Sequence, residues 1–110
     1  MRKRIYIAGP MSQGDRIHNL AQAMRAFREL IEAGFAPLCP QLTFFAEPFI
    51  NQSHEVWLNI DMPWVAISDA LLRLPGASSG ADQETKTAMS LRIPVFDSII
   101  DIVYHFEGDE

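Results

Sequence analysis

A single cysteine, Cys39, occurs in the 110 residues. No internal disulfide can form from it, which points to a reducing, cytoplasmic setting. Nothing beside it in the sequence activates the thiol, so packing is its expected role. No run of apolar residues approaches the ~18 that a membrane span requires. The basic start, Met1-Arg2-Lys3-Arg4, runs straight into Ile5-Tyr6-Ile7-Ala8 without the apolar region of a signal peptide. Basic residues are scarce: nine Lys and Arg against fourteen Asp and Glu leave a net charge of −5. That balance excludes broad docking on polymeric nucleic acid or an anionic membrane, but not one phosphate held by backbone amides. His18, His54 and His105 are far apart and show no ligand spacing, so no metal and no other cofactor is expected. Repeats and low-complexity tracts are absent.

What is present is ordinary for a globular protein: 48% of the residues are apolar and 21% charged. The length gives one domain, residues 1–110, large enough for a real core. Ile5 to Ala8 is a short apolar β run closed by Gly9-Pro10. From Ile17 to Ile31, apolar residues recur at Leu20, Ala21, Met24, Phe27 and Leu30, the spacing of one helix face, with Gly34 as the stop. Phe35 to Cys39 reads as a second strand, placed at a sheet edge by Pro37. Residues 40–52 are rich in Phe and Pro, lack a period, and read as a long functional loop. Ser53 caps a helix through Val56 and Ile60, which Pro63 either kinks or divides. There follow a buried strand at 70–74, a helix at about 80–91 opened by Ser79, a strand at 93–96 and a helix from Ser98 to about Phe106. The acidic tail Glu107-Gly108-Asp109-Glu110 is expected to fray.

Strictly alternating strands and helices imply an α/β fold. The expected architecture is a single-domain, doubly wound parallel sheet of flavodoxin or Rossmann type, with four to five strands in the order 2-1-3-4 and helices on both faces. Ligands of such sheets bind beyond the carboxyl ends of the strands where the strand order reverses. Here that crevice falls between strands 1 and 3. The loop after Ala8 (Gly9, Pro10, Met11 and on to Arg16) and the loop from Pro75 to Gly80 converge on it. Arg16 is the only cation of the first loop and a candidate for meeting a phosphate, with Asp15 beside it as opposition. Glu84 falls in the first or second turn of the helix that follows. Two roles are open to it: complementing the helix dipole, or acting as an ionised nucleophile or base at the mouth of the strand–loop–helix unit.

The opening Tyr6-Ile7-Ala8-Gly9-Pro10-Met11 resembles the Tyr-x-Ala-Gly-Pro start of nucleoside 2-deoxyribosyltransferases and of uncharacterised bacterial and phage relatives (DUF4406-type). Asp61, Asp69 and Gly80-Ala81-x-x-Glu84 resemble that superfamily's two aspartates and Gly-x-x-x-Glu series, in the same order. The resemblance spans residues 4 to about 96. It implies cleavage or transfer at the N-glycosidic bond of a (deoxy)nucleoside or nucleoside 5′-monophosphate, a small-molecule partner. Glu84 then matches the carboxylate that attacks the anomeric carbon and Asp61 the acid that serves the leaving base. Tyr6 matches the tyrosine that orients the nucleophile. Gly9 matches the position that lets sugar or phosphate approach the backbone, and Asp69 an often acidic position that structural capping explains as well. Two carboxylates about 5 Å apart suit a covalent, retaining route by analogy with O-glycosidases. The helix start is expected to keep Glu84 charged, while Trp57 and Trp64 offer Asp61 a drier setting that raises its pKa.

Two departures qualify this. Six positions before Glu84, where many transferases carry an acid, stand Ser78 and then Ser79, as in related nucleotide N-hydrolases that hold a 5′-phosphate there. Ala77 replaces an aromatic common in the relatives. A non-catalytic nucleotide-binding module of the same fold is therefore the rival expectation. Family members often complete the pocket with a neighbouring subunit, so a homo-oligomer, dimer or tetramer, is expected. Trp57 and Trp64, seven apart, share a helical stripe and read as core. Phe44, Phe45 and Phe49 are candidates for base stacking, a subunit contact or plain packing.

Overall fold

The computed structural model describes residues 1–107, with only the backbone of Thr43 and Phe44. Beyond Glu107 the acidic tail lies outside the described residues. Four strands, β1 (Arg4–Ala8), β2 (Ala36–Leu38), β3 (Ala70–Arg73) and β4 (Val95–Phe96), form one sheet in the order β2-β1-β3-β4, all pairs parallel. Four helices alternate with them: α1 (Arg16–Glu32), α2 (His54–Ala66), α3 (Ser79–Ser90) and α4 (Ile99–Phe106). This is the doubly wound α/β architecture in the order 2-1-3-4.

The pleat of the two central strands sorts the core into two halves. Ile5 and Ile7 of β1, with Ala70 and Leu72 of β3, pack against Ala23, Ala26 and Leu30 of α1 and Ile102 of α4. On the opposite face, Tyr6 and Ala8 of β1 and Leu71 of β3 meet Val65 of α2 and Ala81 and Ala88 of α3. Central parallel strands are covered on both sides, which is why Ile5 to Ala8 is uniformly apolar apart from one phenol. The register sets Tyr6 opposite Leu71 and Ala8 opposite Arg73, so the odd residues of β3 share the face of Tyr6.

The helix starts follow the short polar residues ahead of them. Asp15 caps α1, accepting from the N–H groups of Ile17 and His18 at 3.0 and 3.1 Å. Ser53, Ser78 and Ser98 cap α2, α3 and α4. In α3 the cap is Ser78 rather than Ser79, its Oγ accepting from Ala81 N at 3.1 Å, and the helix begins one residue earlier than its sequence pattern indicates. Pro63 lies inside α2, which runs as one helix across it. Residues 40–45 form a 3-10 helix, whose three-residue turn leaves no 3.6-residue period to read.

Two glycines join the β1–α1 and β3–α3 loops. Gly76 has φ +115°, and a Cβ there would stand 2.9 Å from Pro10 Cγ. A Cβ on Gly9 would lie 3.0 Å from Leu74 Cβ and 3.2 Å from Gln41 Nε2. The space left by Gly9 thus admits Leu74 and Gln41.

Candidate functional site

Glu84 occupies a core position of α3. The buried stripe of that helix is Ala81, Glu84 and Ala88, and the two alanines leave room for a carboxylate on an otherwise apolar face. Glu84 is only 5% exposed. Beneath it, the fully buried Tyr6 donates its phenolic O–H to Glu84 Oε2. Asp61, from α2, is the third member, hydrogen-bonded to the Glu84 carboxyl and repelling charge on both Glu84 and Tyr6. Tyr6, Asp61 and Glu84, from β1, α2 and α3, therefore form one cluster on the α2/α3 face of the sheet.

The electrostatics of this cluster differ from those expected of a helix-start carboxylate. Glu84 lies in the second turn of α3, where the dipole has largely faded. Burial pushes its pKa up to about 7; the Tyr6 hydrogen bond opposes this, Asp61 adds to it, and Arg73 pulls it down. Burial likewise pushes Asp61 up to about 6, against the lowering effect of its hydrogen bond to Glu84. Burial, then the charges of Glu84 and Asp61, raise the Tyr6 phenol far above its ordinary range, so it stays a donor. Two carboxyls in one half-dry site hold a proton between them near neutrality. Burial also pushes the Cys39 thiol up to about 11, which leaves it an inert core thiol.

A cleft of ≈ 380 Å³ opens at the carboxyl end of β1, bordered by Gly9, Met11, Gln13, Trp57, Ser78 and Ser79. Gln13 Oε1 accepts from Ser79 N at 3.2 Å, linking the two loops across the cleft floor. Trp57 lies one turn before Asp61 on α2, and Ser79 just over one turn before Glu84 on α3, which sets the cleft wall about one turn along each helix from the carboxyl pair. Gly80 faces His54, whose Cε1 would be 3.2 Å from a Cβ at that position. Gly9, Met11, Ser78 and Ser79 are thus on the cleft wall, with Pro10 behind them against Gly76.

Asp69 falls elsewhere, at the amino-terminal edge of the sheet, its Oδ2 accepting from Arg4 N at 2.7 Å, a tie between the starts of β1 and β3. Arg16 forms an ion pair at 3.0 Å with Glu47, which itself borders the cleft, joining the start of α1 to the segment after the 3-10 helix. Trp64 is half exposed rather than core. His18 and His105 are exposed, and no group of three or more His, Cys, Asp or Glu with metal-ligand geometry exists among the described residues.

Gln41, His54 and Gln13 carry no local sequence signal. Gln41 is 2% exposed; its Oε1 accepts from Cys39 Sγ at 3.0 Å, while its Nε2 has no partner among the described residues. His54 and Gln13 reach the cleft only because the topology folds three segments together.

Residues 3–98 match the model of a domain of unknown function, DUF7768. The chain belongs to the DUF7768 family. The motifs alone point to DUF4406-type relatives; the family that matches is DUF7768. This DUF7768 member is similar in structure to a 2-deoxyribosyltransferase from Bacillus psychrosaccharolyticus, with a TM-score of 0.67 and 20% identity over 84% of this chain and 69% of that one. It is also similar to a conserved protein from Enterococcus faecalis V583, with a TM-score of 0.63 and 23% identity over 86% of this chain and 62% of that one. At those identities the likeness establishes the nucleoside deoxyribosyltransferase-like fold. No curated protein matches the chain by sequence. Among the described residues, no helix is long and apolar enough to cross a membrane.

Proposed function

We propose that this protein cleaves or transfers at the N-glycosidic bond of a (deoxy)nucleoside or nucleoside 5′-monophosphate, with Glu84 as the nucleophile. The observation that carries this is the buried Tyr6–Glu84–Asp61 cluster beside the cleft. Burying two carboxyls on an apolar face costs stability that alanines would spare, and such groups cluster where chemistry needs them. The fold shared with a 2-deoxyribosyltransferase adds to it.

The steps balance on three groups. The Glu84 carboxylate attacks the anomeric carbon as the C–N bond breaks. The leaving base takes the bonding electrons and accepts a proton from Asp61. Water or a second base then attacks the glycosyl–Glu84 ester, giving its proton to Asp61 and freeing Glu84. Tyr6 holds the attacking carboxylate by its hydrogen bond. The start requires Glu84 ionised and the proton on Asp61. With Glu84 at about 7 and Asp61 at about 6, the proton of the pair rests mainly on Glu84, so the reactive arrangement is the minor one and the proton passes to Asp61 across their hydrogen bond before attack.

Ser78, Ser79 and Gly80 open α3 at the cleft, where the two serine hydroxyls and the helix start suit a 5′-phosphate, with the Ser79 N–H exchanging its bond to Gln13 for the phosphate. The substrate is a small molecule met in the cytoplasm, and the assembly a homo-oligomer, dimer or tetramer. An exposed stripe of Val56, Ile60 and Trp64 on α2, continued by Ile67 at its C-cap, supports the assembly. The second reading, a nucleotide-binding module without turnover, is favoured by Ser78 standing where transferases carry an acid.

Incubation with ribo- and deoxyribonucleosides and their monophosphates, with and without a second free base, separates these. Base release marks the enzyme, and exchange marks transfer. Thermal stabilisation by one ligand without release marks the binding module.

A further inference from the structure

Three of the five carbonyls that lead from β3 into α3 are claimed by side chains. Arg73 Nη1 donates to Leu74 O, Gln22 Nε2 to Pro75 O at 3.2 Å, and Arg73 Nη2 to Gly76 O at 3.1 Å. The same Arg73 Nη2 meets Asp82 Oδ1 at 3.0 Å, in the first turn of α3. Pro75 and Gly76 are exposed, so water could serve their carbonyls at no cost in side-chain freedom, whereas Leu74 is buried. Arg73 itself is well sheltered, its side chain 19% exposed, on the face of the sheet that carries Tyr6. A guanidinium is suited to this, because its planar fork holds several acceptors in fixed directions.

We infer that Arg73 is the positioning residue for Glu84, a bracket that joins the end of β3, the loop and the first turn of α3 into one rigid unit. Asp82 is two positions before Glu84, so the direction in which α3 leaves the loop fixes where the Glu84 carboxylate lies against Tyr6 and Asp61. This rests on the glycosidic role proposed for Glu84.

The charges that face Glu84 are Tyr6 from β1, Asp61 from α2 and Arg73 from β3; on its own helix, Asp82 is paired to Arg73 and Lys86 is exposed. Arg73 lowers the Glu84 pKa, against burial. The bracket thus acts on both position and charge, and the two effects separate in substitution.

The experiment compares Arg73→Gln and Arg73→Lys with the parent chain. It measures base-release kinetics across about pH 5 to 9, Glu84 carboxyl titration by NMR, and thermal unfolding. The Gln variant is expected to lose kcat by about 10- to 100-fold with KM little changed. Its acidic limb of kcat/KM and its Glu84 titration move to higher pH. The Lys variant keeps the charge and so the position of the acidic limb, but loses the fork and so part of kcat. A folded Gln variant with unchanged kcat and unchanged Glu84 titration overturns the inference, whatever its melting temperature. Should the Gln variant not fold, Lys decides: lowered kcat at an unmoved limb supports the bracket, and parental kcat overturns it. Absence of base release by the parent chain counts against the glycosidic role alone; the titration of Glu84 then tests the bracket by itself.

Discussion

Tyr6 and Glu84, 78 positions apart, are hydrogen-bonded inside the core, and their contact joins the central strand of the sheet to the helix that faces it. One partner replaces an aliphatic residue in a buried parallel strand, the other an apolar residue on a helix stripe. Each is a break in the local pattern, and both breaks meet at one point. That meeting separates a site from two unrelated polar residues.

Removing the phenol tests the contact directly. Tyr6→Phe keeps the ring in the core and deletes only the hydroxyl. Base release is expected to fall roughly 10- to 100-fold, with the pH limb assigned to Glu84 moving upward, because the hydrogen bond lowers that pKa. Steady-state kinetics of the variant over a pH series measure both.

Stability should fall as pH rises through the neutral range. Glu84 and Asp61 have folded pKa values raised from 4.5 and 3.8 to about 7 and about 6. Between the unfolded and folded values the native state binds more protons, so the slope of unfolding free energy with pH is negative. Their contribution is whole below about pH 4 and lost by about pH 7 to 8. Glu84→Gln removes the burial of a charge and is expected to be more stable than the parent at pH 8, by roughly 1–3 kcal/mol, with the gap closing toward pH 5. Thermal unfolding of both proteins at the two pH values checks the sign.

Gly76→Ala should disturb both loops at once. Its positive φ strains any Cβ, and the nearest neighbour of that Cβ is Pro10. A loss of roughly 1–3 kcal/mol in chemical denaturation is expected, together with weakened ligand binding. By contrast, Leu72→Ala empties a core position 1% exposed, far from the cleft. It should cost about 2–5 kcal/mol with kinetics of the folded fraction unaltered.

The apolar stripe on α2 gives a prediction about assembly. Ile60 and Trp64 are 44% and 50% exposed, one turn apart. For the homo-oligomer proposed above, replacing both by Glu should shift light scattering toward the monomer, and a parent chain that is already monomeric would contradict the proposal. Because α2 also carries Asp61, the monomer should lose activity too.

Much of this was legible in the sequence because the signals are local. Ser53 and Ser98 lie beside the helices they cap, and the parallel sheet follows from strict alternation. Tyr6, Asp61 and Glu84 are readable as candidates through the family's motif order, and their meeting depends on a register that no local pattern prints. The direction of the Glu84 shift was the opposite of a dipole argument, since its depth on the Ala81–Ala88 stripe decides it. Asp69 shows the converse: an acid in a motif position, which the fold places at the far edge of the sheet. His54 lies just after a stretch without period, and long-range packing alone brings it to the cleft.

The most direct measurement is intact mass and peptide mapping after incubation with a 2-fluoro nucleoside, whose slowed turnover accumulates a glycosyl–enzyme ester. The parent chain is expected to gain one glycosyl group on the peptide that carries Glu84, and Glu84→Gln none, with base release lost. Base release that persists in Glu84→Gln, or an adduct that maps to another residue, would contradict the assignment of Glu84 as the nucleophile.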